Sequence, residues 1–215
     1  MCGVVGYSSR SVTKRDLSKL KQVLIESRIR GMHASGIAWF DGKRIQCCSD
    51  SVPIDTLLES FDLNQLLYKN GRVSMIAHAR YSTSSLKYNQ PLVGEHIAIA
   101  HNGVISQASA KEWYGLYGYQ CVTKNDSELL LRAIEKGDNP LRVFPDASIA
   151  AVTLDDQGNI EYIRNKRRPL WVGRIGAGTV VASTFDTLHR AGVSDIQKVA
   201  VAKDLQVRSM EQWET

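Results

Sequence analysis

Hydrophobic and polar positions along this chain follow two periods, one typical of β-strands and one typical of helices. Short apolar runs bounded by turn residues predict strands at residues 4–7, 37–40, 44–48, 73–79, 96–100, 148–155, 160–164, 170–173 and 179–183, with 199–202 and 205–207 as shorter candidates. Asp41 and Gly42 separate the second run from the third and are typical of a hairpin turn. Hairpin-connected strands predict antiparallel sheets.

Three segments repeat apolar residues at helical spacing. The first follows Ser11 and Thr13, which are typical helix-start residues, and stops at Gly31. The other two cover residues 56–68 and 126–136. Because hairpins and helices fall in separate blocks along the chain, the pattern predicts an α+β layered domain and not a βαβ repeat.

Length and composition indicate one globular domain spanning residues 1–215. A chain of 215 residues with 43% hydrophobic and 23% charged side chains can bury a large core without disulfides or metals. Five prolines and 16 glycines exclude collagen-like and largely disordered chains. We therefore expect a single domain without a second, synthase domain.

The charge and targeting signals exclude several other classes. The net charge is +5, but the basic residues are scattered, and the densest run, at 164–168, is typical of a solvated loop. We therefore predict no nucleic-acid partner. No apolar stretch approaches the roughly 18 residues of a membrane span, and the first residues lack a basic signal-peptide start. We expect a cytoplasmic protein with no membrane partner.

The four cysteines divide into three structural candidates and one chemical candidate. Cys47, Cys48 and Cys121 are interpreted as small buried hydrophobic residues, and because no CxxC pair is present we predict no metal site and no cofactor. Cys2 differs, since removal of Met1 leaves it with a free α-amine. An amine with an intrinsic pKa of about 8 can take the proton of the neighbouring thiol and so activate it as a nucleophile.

Four further segments accompany Cys2 in a fixed order: 30–38, 78–83, 99–105 and 125–128. Together with the Met-Cys-Gly start they resemble the glutaminase domain of class II glutamine amidotransferases, which are N-terminal-nucleophile hydrolases. The resemblance is clear from Cys2 to about Gly137 and weaker beyond it. It implies a four-layer αββα sandwich of mainly antiparallel sheets, and the hydrolysis of L-glutamine to glutamate and ammonia through a cysteine thioester.

The resemblance also assigns roles to individual residues. Cys2 matches the nucleophile, and Asn102 and Gly103 match the pair that stabilises the tetrahedral oxyanion. Taken alone, Asn-Gly is also typical of a type I′ hairpin turn, and that alternative stays open. His101, which lies beside the pair, is interpreted as structural and not as a general base.

Three substrate-binding residues follow from the same comparison. Arg80 matches the residue that pairs with the substrate α-carboxylate, Asp126 matches the acid that receives its α-ammonium, and Thr83 lies in the loop that closes over glutamine. Without the resemblance, Arg80 is a surface arginine at a strand end and Asp126 is a helix N-cap, a role that Asn125 could equally fill. His33, His78, His96 and His189 show no metal-ligand spacing and are interpreted as structural or exposed.

The sequence departs from the family pattern at His33, in the loop after Arg80, and in the expected absence of an ammonia-accepting domain. His33 stands where the family usually has Asp, and residues 81–85 lack the usual aromatic-Ala-Thr-His-Gly pattern. The family usually continues into a domain that accepts ammonia, so we expect a separate ammonia-accepting synthase partner here. Two alternative functions are an N-terminal-cysteine hydrolase of another γ-glutamyl or amide substrate, and a non-catalytic regulatory or binding module.

Overall fold

Residues 1–82 and 86–201, with the backbone of 208–209, are described by a computed structural model. They form thirteen strands, which are β1 Gly3–Ser9, β2 Ala34–Phe40, β3 Ile45–Asp50, β4 Leu67–Tyr68, β5 Arg72–Arg80, β6 Leu92–Val93, β7 Ile97–His101, β8 Ala150–Asp155, β9 Ile160–Arg164, β10 Trp171–Ile175, β11 Gly178–Ala182, β12 Ser194–Lys198 and β13 Arg208–Ser209. The α-helices are α1 Lys14–Ser27, α2 Ile54–Ser60, α3 Trp113–Tyr117, α4 Ser127–Glu135, α5 Pro140–Val143 and α6 Phe185–Arg190.

The strands form two sheets in which all the pairings are antiparallel. The larger sheet has the order β12-β10-β11-β1-β5-β2-β3, with β4 also paired to β5. The smaller sheet has the order β13-β9-β8-β7-β6. β1, which directly follows Cys2, and β5, which carries the start of the segment 78–83, are neighbours at the centre of the larger sheet.

Three apolar layers hold the sheets and helices together. Between the two sheets, Val4 and Ile76 of one sheet pack with Ala98 and Val152 of the other. A second layer joins the larger sheet to α1, α2 and α6, and a third joins the smaller sheet to α3, α4 and α5. This is a four-layer αββα sandwich, which confirms the predicted α+β class. None of the described helices is long and apolar enough to cross a membrane.

The start of α1 shows how local sequence determines an element. Thr13 Oγ1 accepts a hydrogen bond from the Asp16 backbone N–H, and Asp16 Oδ2 accepts one from the Thr13 backbone N–H. This reciprocal pair is a capping box, which satisfies N–H groups that have no partner within the helix.

The predicted hairpin between β2 and β3 is also confirmed, with Gly42 at a φ of 94° in its turn.

Two predicted elements are wrong. The helix predicted at 56–68 ends at Ser60, because the Asp62 carboxylate accepts from the Asn64 N–H and begins a separate 3₁₀ turn. Residues 199–201 form no strand, and the chain pairs earlier, at β12. The strand predicted at 205–207 lies outside the described residues. The helices α3, α5 and α6 are four to six residues long, too short to show a helical period.

Two predictions about exposure also need correction. Arg164 is not solvated: it is 7% exposed, and its guanidinium donates to the carbonyls of Val199 and Arg168 at 2.7 and 2.8 Å. The three cysteines predicted to be buried are not fully so, since Cys47 is exposed and Cys48 and Cys121 are half-buried. Cys47 and Cys48 lie on β3, an edge strand that no layer covers completely.

Candidate active site

A cavity of about 500 Å³ opens where the two sheets and α4 meet. The start of β1, the end of β5, the loop after β7 and the first turn of α4 all reach it. Of the residues predicted to form the site, Cys2, Arg80, Gly103 and Asp126 line this cavity. The fold thus brings together four segments that are far apart in the sequence.

Cys2 lies at the mouth of the cavity, directly before β1. Its backbone N–H donates to Asn102 Oδ1 at 3.2 Å, and its Sγ lies 3.9 Å from the Tyr81 carbonyl oxygen. The following residue, Gly3, has no room for a side chain, because a Cβ there would lie 2.8 Å from the Ser27 carbonyl oxygen. The end of α1 therefore packs directly against the backbone that carries the thiol.

Asn102 and Gly103 do not form a hairpin turn. Neither residue has the positive φ that a type I′ turn requires, and the backbone of Asn102 exchanges hydrogen bonds with Ala150. Asn102 is 2% exposed, and with its Oδ1 bound to the Cys2 nitrogen, its Nδ2 has no hydrogen-bond partner among the described residues. A Cβ on Gly103 would lie 1.7 Å from the Ser148 carbonyl oxygen, so only glycine fits.

Arg80 closes one side of the cavity from the end of β5. Its Nη1 donates to the Tyr88 carbonyl oxygen at 2.9 Å and to Asn89 Oδ1 at 2.6 Å. Burial lowers the pKa of the guanidinium below its usual value, and the nearby Cys2 thiol opposes that shift. The arginine stays charged, and its partners on 86–91 hold it at the cavity wall. It is not the surface arginine of the alternative interpretation.

Asp126 lies at the N-terminus of α4 without capping it. Its Oδ2 accepts from the backbone N–H groups of Ile105 and Ser106 at 2.6 and 3.3 Å, and its Oδ1 has no hydrogen-bond partner among the described residues. Asn125 makes the bond expected of a cap, with its Oδ1 accepting from the Ser127 N–H at 3.1 Å. The carboxylate of Asp126 is therefore tied to the loop after Gly103, on the cavity side of the helix.

A buried network that the sequence did not indicate supports these residues from beneath. His101 Nε2 lies 3.1 Å from the Ser148 carbonyl oxygen, so that nitrogen carries the proton and Nδ1 accepts from Ser127 Oγ at 2.8 Å. Gln90 donates to Ser127 Oγ and accepts from the His101 N–H. Burial lowers the pKa of His101, which therefore stays neutral and structural, as predicted.

His78 also lines the cavity, and of the two interpretations that the sequence allowed, structural or exposed, the structure excludes the exposed one. It is 1% exposed, and neither ring nitrogen has a hydrogen-bond partner among the described residues. Its pKa is lowered to about 3, chiefly by desolvation, with the nearby Arg80 guanidinium contributing. It is the first residue of the segment 78–83, but the resemblance assigns it no role.

The loop after Arg80 is attached to His33, the residue that departs from the family pattern. His33 Nδ1 accepts from the Ser82 N–H at 2.9 Å, and its ring lies 4.9 Å from that of Tyr81. Thr83, the remaining predicted substrate-binding residue, lies outside the described residues. Among the parts of the chain that are described, no three His, Cys, Asp or Glu side chains are grouped so as to hold a metal.

Comparison with known proteins gives relatives of one class, although no protein-family model matches. The chain is 30% identical to the amidophosphoribosyltransferase of Archaeoglobus fulgidus, over 95% of this chain and 49% of that protein. It is 29% identical to the glutamine–fructose-6-phosphate aminotransferase of Photorhabdus laumondii, over 83% of this chain and 30% of that protein. The chain spans about half the length of the first of these relatives, and less of the second.

Solved structures agree on the fold. The glutamine phosphoribosylpyrophosphate amidotransferase of B. subtilis superimposes with a TM-score of 0.66 at 21% identity, over 93% of this chain and 46% of that one. A second structure, an allosteric regulatory enzyme of purine biosynthesis, gives a TM-score of 0.69 at 21% identity, over 93% of this chain. Over nearly its whole length the chain is similar to the glutaminase domains of class II glutamine amidotransferases, and it has their N-terminal-nucleophile hydrolase fold. In its relatives this domain hydrolyses glutamine and passes ammonia to an acceptor domain.

Proposed function

We propose that residues 1–215 form one glutaminase domain in which Cys2 attacks the side-chain amide of L-glutamine. The observation that carries this proposal is that one cavity is lined by the nucleophile candidate Cys2, by the charged residues Arg80 and Asp126, and by Gly103, whose N–H is the oxyanion donor candidate. The apolar layer between the two sheets supports a single domain, because both sheets contribute to one core.

The reaction begins once Met1 has been removed and the Cys2 nitrogen is an amine. That amine takes the thiol proton, and the thiolate forms a bond to the amide carbon of glutamine. Asn102 Oδ1, 3.2 Å from the Cys2 nitrogen, orients the amine, which leaves Asn102 Nδ2 and the Gly103 N–H for the oxyanion. The C–N bond then breaks, the departing nitrogen takes the proton from the ammonium, and ammonia leaves. Water hydrolyses the thioester to glutamate and regenerates the thiol.

The α-carboxylate and the α-ammonium of glutamine, which share one carbon, would bind to Arg80 and Asp126, which both line the cavity. The planar guanidinium of Arg80 can bind both oxygens of the α-carboxylate, and Asp126 Oδ1 can accept from the α-ammonium. Asp126 Oδ2 is held by two backbone N–H groups, so the carboxylate is oriented before substrate arrives. Thr83 is proposed as a further contact to substrate, in the closing loop.

The direct test is the release of ammonia and glutamate from glutamine by the wild type and by Cys2→Ala. We expect wild-type turnover and no turnover above background in Cys2→Ala, because the thioester cannot form. Cys47→Ala, which removes a thiol of β3 that does not line the cavity, is the matched control and should keep wild-type activity. Equal activity in the wild type and Cys2→Ala would overturn the proposal. Mass spectrometry of the same samples reports whether Met1 has been removed.

We also propose that the ammonia passes to a separate synthase protein. Three apolar side chains that are 52–66% exposed lie on the segments that contact Cys2: Ile29 and Met32 beside Arg30, whose Nε donates to the Cys2 carbonyl oxygen, and Tyr81, whose carbonyl oxygen lies 3.9 Å from the Cys2 Sγ. Exposed apolar clusters of this kind mark protein interaction sites. The names of the relatives support an amination reaction, since one is an amidophosphoribosyltransferase and another aminates fructose 6-phosphate.

Ammonia transfer can be tested by changing the nitrogen source. In a complex of this chain with its acceptor, Cys2→Ala should abolish amination by glutamine and leave amination by ammonium chloride at the wild-type rate. The reason is that free ammonia enters the reaction after the step that Cys2 performs. Loss of amination with both nitrogen sources would contradict the separation into a glutaminase and an acceptor.

A further inference from the structure

His78 shares a sheet face with the nucleophile and with the proposed carboxylate clamp. In the pairing of β1 with β5, Val4 lies opposite His78 and Gly3 lies opposite Ala79. If the pairing is continued by one residue, Cys2 lies opposite Arg80. Directly opposed residues of antiparallel strands point to the same face, and diagonal neighbours lie about 7–8 Å apart. His78 is thus one diagonal step from Cys2, on the cavity side of the larger sheet.

The imidazole of His78 has hydrogen-bonding capacity that the protein does not use. Among the described residues neither nitrogen has a partner, although the ring is almost completely buried and the backbone of His101 is close by. A buried polar group without a partner is costly to fold and calls for an explanation. Because burial keeps the ring neutral, it offers one N–H donor and one acceptor nitrogen.

The substrate nitrogen requires a partner that the two oxyanion donors cannot provide. The carboxamide oxygen of glutamine needs donors, which Asn102 Nδ2 and the Gly103 N–H supply in the proposed function. The carboxamide nitrogen needs an acceptor, and an acceptor also distinguishes an amide from the carboxylate of the product glutamate, which has no N–H to donate. A neutral imidazole beside the nucleophile satisfies this requirement.

We propose that His78 accepts a hydrogen bond from the side-chain nitrogen of glutamine and thereby selects the amide over the carboxylate of glutamate. This inference rests on the proposed glutaminase function and deepens it. His78 takes no proton in the reaction: the proton from the Cys2 thiol still goes to the departing nitrogen by way of the α-amine. The imidazole holds the N–H₂ group during attack and disfavours rebinding of the product.

The experiment compares two substrates that differ only in the leaving group. His78→Leu removes the acceptor nitrogen and places an apolar side chain in this buried position, whereas His78→Gln supplies an amide oxygen as the acceptor. L-Glutamine and L-glutamate γ-methyl ester are assayed with each variant, because the ester has the same carbonyl but no leaving N–H. His96→Leu, at an exposed histidine away from the cavity, is the matched control.

We expect His78→Leu to lower kcat/KM for glutamine by about tenfold, the effect of losing one neutral hydrogen bond, with the ester within about twofold of wild type. His78→Gln should recover part of the loss. An equal loss on both substrates, or no loss on glutamine, would overturn the proposal, since the first indicates a purely structural role. If the wild type hydrolyses neither substrate, the glutaminase function itself fails.

Binding to the Cys2→Ala protein separates the two proposals without turnover. Calorimetry should show glutamine binding more tightly than glutamate when His78 is present, and this preference should fall about tenfold in Cys2→Ala/His78→Leu. Equal affinity for both ligands with His78 in place would overturn the role of His78 and leave the glutaminase function standing. Binding of neither ligand would overturn both.

Discussion

Arg80 shows how one side chain can serve both the fold and a ligand. Nη1 is committed to Tyr88 and Asn89, which holds the segment before β6 against the end of β5. A planar guanidinium can keep those bonds on one edge and still offer donors to a carboxylate on another, whereas an ammonium is a single point charge. The position therefore requires arginine and not just a positive charge.

We expect Arg80→Lys to raise KM for glutamine and to lower kcat/KM by roughly 10–100-fold, the range for a lost charge-assisted hydrogen bond. Steady-state kinetics of glutamate formation provide the measurement. Arg72→Lys, at the exposed start of the same strand, should stay within twofold of wild type. A KM unchanged in Arg80→Lys would place the substrate carboxylate elsewhere.

At the scale of elements, the site depends on where α4 begins. Ser127 is the first residue of that helix, and its hydroxyl links Gln90 to His101, so that the helix start, the segment before β6 and the end of β7 are fixed to one another. Asp126 and Gly103 flank this junction. A change in the junction should therefore affect both stability and catalysis.

Ser127→Ala removes one buried hydrogen bond from the His101 side chain and one from the Gln90 side chain. We expect a loss of about 1–3 kcal/mol in the free energy of unfolding, together with a lower kcat for glutamine. Urea unfolding and steady-state kinetics measure the two effects. Ser60→Ala, at the exposed end of α2, should change stability by less than about 0.5 kcal/mol. Wild-type stability in Ser127→Ala would exclude the network as a support for the site.

The junction also shows what the sequence can and cannot indicate. Local patterns predicted the hairpin at Gly42 and the start of α1, because a turn or a cap depends on residues a few positions apart. The ordered motifs predicted that Cys2 and Arg80 lie in one site. The role of Gln90 was missed, since its partners are 11 and 37 residues away and no spacing rule connects them.

At the scale of the whole molecule, burying two histidines ties stability to pH. His78 and His101 pack between or beside the sheets, and burial lowers the pKa of each, to about 3 for His78. In the unfolded chain a histidine titrates near 6.5, so below that pH the unfolded state binds protons that the folded state does not. The contribution of the two buried, neutral histidines to the free energy of unfolding is therefore complete above pH 6.5 and is lost as the pH falls toward 3.

For His78 alone this linkage amounts to about 2 kcal/mol between pH 7.5 and pH 5, from about 1.4 kcal/mol per pH unit for each proton taken up on unfolding. Urea unfolding across that range should show the wild type losing more stability than His78→Leu by about this amount. Every other titrating group is common to the two proteins, so the difference isolates His78. Parallel curves for the wild type and His78→Leu would mean that the pKa of His78 is the same in the folded and the unfolded protein. The ring would then take up a proton near pH 6.5, and below that pH a charged imidazole could not accept a hydrogen bond from the glutamine amide.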